Sequence, residues 1–126
     1  LQTDVSAGHC WPLEGHQGQV GIRLPAPVHL IGITVQHINK KESPSGTVSS
    51  APRDMAVFGM DVNGEETLLG TFTYNVEEEA TQFFLLKNAP FPRPFSTIRL
   101  HVKSNWGNEA YTCIYRVGVH GKLTKT

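Results

Sequence analysis

The chain has 126 residues, which is enough for one domain with a hydrophobic core. Its 11 basic and 11 acidic residues balance and only 17% of residues are charged, so we expect no basic surface for nucleic acid or an anionic membrane. No apolar run approaches the roughly 20 residues of a membrane span, and the first residues do not resemble a signal peptide. Any targeting or anchoring segment is therefore expected outside this chain.

Short segments with alternating polarity follow one another along the chain. In chain order, the predicted strands cover residues 19–24, 28–38, 56–62, 67–76, 80–87, 97–103 and 111–120. The 12 glycines and 8 prolines separate them, and Asn63-Gly64 is a strong turn signal. No window of 11 or more residues has a helical period. This pattern predicts an all-β domain, a sandwich or jelly roll.

The alternation also predicts which side chains share a face of each strand. The predicted sets are Val20, Ile22 and Leu24; Ile31, Ile33, Val35 and His37; Ala56, Phe58, Met60 and Val62; and Ile98, Leu100 and Val102 opposite Arg99, His101 and Lys103. We also expect four aromatic residues in the core rather than on a ligand platform: Phe72, Tyr74, Phe83 and Phe84.

Two stretches, 1–18 and 39–53, are predicted to be long loops, and long loops in compact domains are often functional. The first carries Cys10. The only other cysteine, Cys113, is about a hundred positions away, so the pair fits no metal spacing. A disulfide between them would stabilise the fold by about 4 to 5 kcal/mol in the chain-entropy model and would indicate an oxidising compartment. The residues alone leave open the alternative of two free buried thiols in a cytosolic protein.

The last predicted strand places Tyr111, Cys113 and Tyr115 on one face, directly after a loop rich in Gly and Asn. A strand that only filled a core would more often carry Val or Ile there. Two phenols and a thiol at the start of a strand therefore predict a polar binding patch at the edge of a sheet.

His37 and Ser50 each have two interpretations. His37 ends an apolar face and is either a core histidine with a satisfied ring or a contact beside Tyr111 and Tyr115. Ser50 either solvates its loop or offers a hydroxyl to a carboxylate. A hydrolase triad of Ser50, His37 and Asp54 is the least favoured hypothesis, since no Gly-x-Ser-x-Gly elbow is present. The histidines show no paired zinc spacing.

Five motifs, taken together and in order, resemble a SUN domain over essentially the whole chain. They are Gly8-His9-Cys10-Trp11-Pro12, Gln36-His37-Ile38, the segment 49–54, Leu69-Gly70-Thr71-Phe72 and the segment 104–121. The sequence Ser-Asn-Trp-Gly followed by Tyr-Thr-Cys-x-Tyr-Arg is highly specific to that family. The resemblance implies a non-enzymatic β-sandwich of the galactose-binding/discoidin jelly-roll type.

The resemblance also implies a function. SUN domains lie in the lumen between the nuclear membranes, where they bind the C-terminal tail of KASH-domain proteins. The resulting LINC complex links the nucleus to the cytoskeleton. The full-length proteins are mostly homotrimers that reach the membrane through other segments. The alternative is a carbohydrate-binding module on the same sandwich, which would need an exposed aromatic platform formed by Trp11 or Trp106.

Particular residues match the functional positions of the family. Cys10 and Cys113 match a disulfide that holds a cation loop. The main-chain carbonyls of that loop, which typically bind potassium, would be those of Gln2, Asp4, His9 and Tyr115. The pocket for the free carboxylate of the KASH tail would be formed by His37, Ser50, Tyr111 and Tyr115. The family domain usually begins before Leu1, with early strands and a hairpin called the KASH lid. The resemblance therefore implies that residues 1–126 are a SUN domain without its lid and early strands.

Overall fold

The computed structural model describes residues 2–4, 10–15, 17–38 and 47–123, and every regular element within these ranges is a β-strand. The strands are β1 (Gln2–Asp4), β2 (Trp11–Glu14), β3 (Gly18–Gln36), β4 (Asp54–Met60), β5 (Glu66–Thr73), β6 (Thr81–Leu85), β7 (Phe95–Val102), β8 (Tyr111–Ile114) and β9 (Arg116–Leu123). In this described part, no helix is long and apolar enough to cross a membrane. The predicted all-β jelly-roll class is confirmed.

Strand β3 connects the two halves of the fold. Its first half pairs antiparallel with β7, and its second half pairs with β9 and β6. The larger sheet has the order β1-β9-β3-β7-β4-β5, with β6 on β3, while β2 and β8 form a separate pair. Because one 19-residue strand contributes to both halves, the sheet curls around a single core.

The sequence predicted two strands where the structure has β3 alone. Pro25 and Pro27 cannot donate to a sheet ladder, which is why a break was expected near them. The structure accommodates both prolines at an irregularity, because the register with β7 shifts between Arg23 and Val28. The strand continues through this shift to Gln36.

A second irregularity in β3 changes which side chains enter the core. The register with β9 shifts between Leu30 and Gly32, as expected for a β-bulge. Leu30 and Ile33 are both completely buried, whereas Ile31 is only half-buried. The predicted core face was therefore right for Ile33, Val35 and His37 and wrong for Ile31.

Strand β4 lies between β7 and β5, and its burial agrees with the predicted set only in part, because Ala56 of that set is 1% exposed. Met55 and Val57 are in the core, while Val62 is 76% exposed beyond the end of the strand. Phe58 is half-buried, and the guanidinium of Arg99 lies 4.2 Å from its ring centroid. The ring of Phe58 is therefore covered by a cation rather than by the core.

The predicted core face of β7 and the four aromatic residues predicted for the core agree with the structure except at one position. The alternation in β7 is confirmed, with Ile98, Leu100 and Val102 all buried. Tyr74 is buried and Phe72 and Phe84 pack against the core, but Phe83 is 51% exposed, so its prediction was wrong.

Both predicted loops and the last predicted strand also differ in part from the structure. The predicted loop 1–18 contains β1 and β2, while residues 39–46 of the other loop lie outside the described residues. The predicted strand 111–120 is two strands, β8 and β9, that meet at Tyr115.

Candidate functional site

The end of β3 and the loop 47–53 meet at a hydrogen-bonded pair, His37 and Ser50. His37 directly follows β3 with Ile38 and is only 2% exposed. Its Nε2 lies 3.1 Å from the Ser50 hydroxyl oxygen, and its Nδ1 lies 2.8 Å from the Ile38 carbonyl oxygen. Both ring nitrogens are thus used within the protein.

The Ile38 carbonyl sets the direction of the bond between His37 and Ser50. A carbonyl oxygen only accepts, so Nδ1 carries the proton and donates to it. Burial lowers the pKa of His37, and the bond to Ile38 opposes this only in part, so the ring is neutral near pH 7. Nε2 of a neutral ring with a proton on Nδ1 can only accept. The Ser50 hydroxyl is therefore the hydrogen-bond donor, and Nε2 of His37 is the acceptor.

Two tyrosines complete the cluster. Tyr115 lies at the junction of β8 and β9, and its backbone N–H donates to the Gln36 carbonyl oxygen at 2.9 Å. Its ring packs edge-on against the His37 ring with centroids 5.0 Å apart. Partial burial raises the pKa of Tyr115, and the charge of Tyr111 raises it further. The structure thus brings together the residues predicted for the pocket.

Both tyrosine side chains of this cluster are at least partly exposed. Tyr111 is 43% exposed and Tyr115 is half-buried. Within the described part of the chain, the structure shows no hydrogen bond from either phenol to the protein. The site therefore presents two hydroxyl groups beside a buried imidazole and a serine.

A disulfide lies next to the segment that carries Ser50. Cys10 and Cys113 are bonded, with their Cα atoms 5.3 Å apart, so the alternative of free thiols is excluded. The backbone N–H of Cys113 donates to the Ser50 carbonyl oxygen at 2.8 Å. The bridge that ties the start of the chain to β8 is therefore one hydrogen bond away from the candidate pocket.

Asn105 holds the loop that leads into Tyr111. Its side chain is 6% exposed, and its amide nitrogen reaches the carbonyl oxygens of Asn108 and Tyr111 and the hydroxyl of Thr112 at 2.6, 3.1 and 3.0 Å. Its amide oxygen accepts the N–H of Gly107, whose φ of 120° suits glycine. From the sequence, Asn105 is part of a motif and has no predicted role.

The ring of Trp106 is held by contacts within the protein rather than presented as a binding platform. Its Nε1 donates to the Tyr74 carbonyl oxygen at 2.8 Å, and the Arg53 guanidinium lies 5.7 Å from its ring centroid. The carbohydrate-binding alternative required a free aromatic platform, and Trp106 does not provide one. The side chain of Trp11 lies outside the described residues.

The structure does not assemble the triad of Ser50, His37 and Asp54. The carboxylate of Asp54 accepts hydrogen bonds from Thr73 and Ser104 at 3.2 and 3.0 Å. The imidazole nitrogen that such a triad would direct at Asp54 is bonded to Ile38 instead. The hydrolase hypothesis therefore has no geometric support.

The predicted cation ligands fall partly within the described residues. Gln2 and Asp4 lie on β1, opposite Gly118 and Arg116 of β9, so Asp4 is in register with the residue after Tyr115. His9 lies outside the described residues. Within the described ranges, no three His, Cys, Asp or Glu side chains are grouped to hold a metal.

A family model described as Sad1/UNC-like C-terminal matches residues 1–123. The chain belongs to this family. Its relatives include sperm-associated antigen 4 protein of Rattus norvegicus, 46% identical over 96% of this chain and 28% of that protein. SUN domain-containing protein 1 of Homo sapiens is 41% identical over 99% of the chain and 16% of its own length. The SUN-domain resemblance is thereby confirmed, and the chain spans a third or less of these relatives.

Solved structures agree with the fold of this SUN domain. The family 32 carbohydrate-binding module of Streptococcus pneumoniae EndoD matches with a TM-score of 0.68 at 20% identity, covering 90% of this chain and 75% of that one. An F5/8 type C domain from Bacteroides fragilis matches with a TM-score of 0.69 at 15% identity, covering 92% and 75%. At such identities the likeness shows the jelly-roll fold alone. The family itself indicates a structural or binding module rather than an enzyme.

Proposed function

We propose that this SUN domain binds the C-terminal tail of a KASH-domain protein and captures its free carboxylate. The contacts of His37 carry the proposal: its Nε2 lies 3.1 Å from the Ser50 hydroxyl, and its ring centroid lies 5.0 Å from that of Tyr115. Tyr111 and Tyr115 show no phenol hydrogen bond within the described part. A terminal carboxylate needs several converging donors in a partly desolvated site. The cluster offers that chemistry at the end of β3.

The hydrogen bonds of the ligand-free site indicate which hydroxyl groups would donate to a bound carboxylate. The hydroxyls of Tyr111 and Tyr115 have no hydrogen-bond partner among the described residues, so within that part of the chain they can donate without rearrangement. The Ser50 hydroxyl donates to His37 in the free protein and would have to turn to reach a ligand. Phenols also have flat apolar faces, which suit the proline-rich tail expected for the partner.

The same proposal extends to the cellular role. The domain would face the lumen between the nuclear membranes and would join a KASH protein of the outer membrane to the inner membrane, forming a LINC complex. The longer protein would act as a homotrimer. Relatives named SUN domain-containing proteins, matched over nearly the whole chain, support this assignment.

A monovalent cation such as potassium would order the segment before Cys10. The proposed ligands are the main-chain carbonyls of Gln2, Asp4, His9 and Tyr115. The pairing of β1 with β9 next to Tyr115 supports this arrangement. Potassium chloride should raise the melting temperature above that in tetramethylammonium chloride at equal ionic strength. Equal melting temperatures would contradict the cation site.

Calorimetric titration with a synthetic KASH tail peptide tests the proposed function. The peptide is prepared once with a free C-terminal carboxylate and once as the amide. We expect the acid to bind at least tenfold more tightly, since charge-assisted hydrogen bonds are worth about 1.5 to 3 kcal/mol. Equal affinities, or no binding by either form, would overturn carboxylate capture by this domain.

A further inference from the structure

We propose that Tyr74 is a positioning residue of the carboxylate pocket, acting through His37. The expected effect on ligand affinity rests on the proposed function. The effect of Tyr74 on the position of His37 concerns the free protein alone. Tyr74 directly follows β5 and is 2% exposed. From the sequence it was expected only to fill the core.

The phenol of Tyr74 joins two segments that meet beside the pocket. Its hydroxyl donates to the Ala80 carbonyl oxygen at 2.5 Å and accepts the backbone N–H of His37 at 3.2 Å. Ala80 immediately precedes β6, and His37 immediately follows β3. One buried hydroxyl therefore sets the spacing between the end of β3 and the start of β6.

A continuous series of hydrogen bonds leads from this hydroxyl to the site. Tyr74 holds the backbone of His37, the His37 ring is oriented by the Ile38 carbonyl, and its Nε2 accepts the Ser50 hydroxyl. A shift of the His37 backbone would therefore move the acceptor that orients Ser50. Burial also raises the pKa of Tyr74 to about 12, so the phenol keeps its proton and remains a donor at neutral pH.

Tyr74 is itself fixed from both sides. Its backbone N–H donates to the Arg53 carbonyl oxygen at 2.8 Å, and its carbonyl oxygen accepts the indole N–H of Trp106 at 2.8 Å. A phenylalanine would fill the same space and keep these backbone bonds. It would leave Ala80 without its phenol donor and His37 with only the 3.2 Å contact to the Ala80 carbonyl. The hydroxyl alone is thus the group whose removal tests positioning.

The experiment compares Tyr74→Phe with Ile98→Val in the otherwise unchanged chain. Ile98 is 1% exposed on β7, so the control loosens the core without altering a hydrogen bond to His37. Nitrogen-15 NMR reports the backbone amide and both ring nitrogens of His37 in the free protein, with assignments confirmed by His37→Gln. Titration with the KASH tail peptide in acid and amide forms reports the pocket.

We expect Tyr74→Phe, but not Ile98→Val, to shift the His37 amide and ring signals. The affinity for the acid should fall about threefold to tenfold, the value of one neutral hydrogen bond, while the affinity for the amide stays unchanged. Unchanged His37 signals, or an equal loss for both peptides, would overturn the inference. Should Tyr74→Phe fold poorly, Trp106→Phe loosens Tyr74 from the other side and must move the same signals.

The two proposals fail in different ways. A wild-type domain that binds neither peptide counts against the proposed function, whereas the His37 signals of the free protein still decide whether Tyr74 positions that residue. A wild-type domain that prefers the acid, with a Tyr74→Phe variant that keeps the same preference, counts against positioning alone.

Discussion

The backbone N–H of Cys113 donates to the carbonyl oxygen of Ser50 at 2.8 Å. This bond connects the disulfide to the candidate pocket, because Cys113 is bridged to Cys10 and the Ser50 hydroxyl is bonded to His37. The segment that carries Ser50 is thus fixed from β8 on one side and from His37 on the other. A change in the disulfide should therefore alter the site without touching a proposed ligand contact.

Breaking the disulfide should destabilise the domain and weaken the pocket. Cys10→Ser opens a loop of 103 residues, for which the chain-entropy model gives about 4 to 5 kcal/mol. Urea denaturation measures the loss, and the amide signal of Cys113 reports its bond to Ser50. A variant with unchanged stability would show that the bridge contributes little to this fold.

Stability should fall as the pH drops below about 6.5, the ordinary pKa of histidine. Burial lowers the pKa of His37 in the folded protein, so the unfolded chain takes up a proton at a higher pH than the native state does. Between those two pKa values, protonation favours unfolding. Thermal melts from pH 7.5 to 5 should show this decline, and His37→Gln should make it shallower. His101→Gln serves as the control, and an identical slope in both variants would contradict the argument.

Replacing Asn105 should lower the free energy of unfolding more than replacing an exposed asparagine does. Asn105→Ala leaves the buried hydroxyl of Thr112 and the carbonyl of Tyr111 without their amide donor. The Thr112 hydroxyl keeps its bond to the Gly15 carbonyl oxygen. The expected loss is therefore about 1 to 3 kcal/mol, the cost of one buried group left unpaired. Chemical denaturation of Asn105→Ala and of Asn88→Ala, at an exposed site, measures the difference. Similar midpoints for the two variants would show that this network is dispensable.

Gly59 should not tolerate even a methyl group. A Cβ at this position would lie 2.6 Å from the Phe95 ring, and Phe95 is buried against it. Gly59→Ala should therefore destabilise the fold by about 1 to 3 kcal/mol through overpacking. Gly21 is also on a strand, but a Cβ there meets nothing within 4 Å, so Gly21→Ala is the matched control. Equal unfolding free energies would refute the packing argument.

The sequence predicted most strands because their alternation survives in the structure. In β7 one face is buried and the other only half-buried, so Ile98, Leu100 and Val102 were identified directly. In β3 the alternation fails at Leu30, because the bulge depends on the register with β9, which no local pattern encodes. In β4 burial does not alternate, because Met55, Ala56 and Val57 are all buried. Phe58 on the same strand is covered by Arg99 from another strand, which no local pattern encodes.

The candidate site was predictable only in part. The polar residues of β8 suggested a binding patch, but the residues alone did not decide between a disulfide and free thiols. His37 and Ser50 come together through a loop whose path the sequence does not specify. Tyr74 and Asn105 support the site through hydrogen bonds to backbone atoms, and such bonds leave no periodic signal in the chain.

A double-mutant cycle between the peptide carboxylate and the Tyr115 hydroxyl tests the central claim most directly. The affinities of wild type and Tyr115→Phe are measured for the acid and the amide of the same KASH tail peptide. If the phenol donates to the carboxylate, the hydroxyl should matter only for the acid, giving a coupling of about 1 kcal/mol or more. A coupling near zero, with the acid still bound, would show that the carboxylate is held elsewhere and would contradict this account of the pocket.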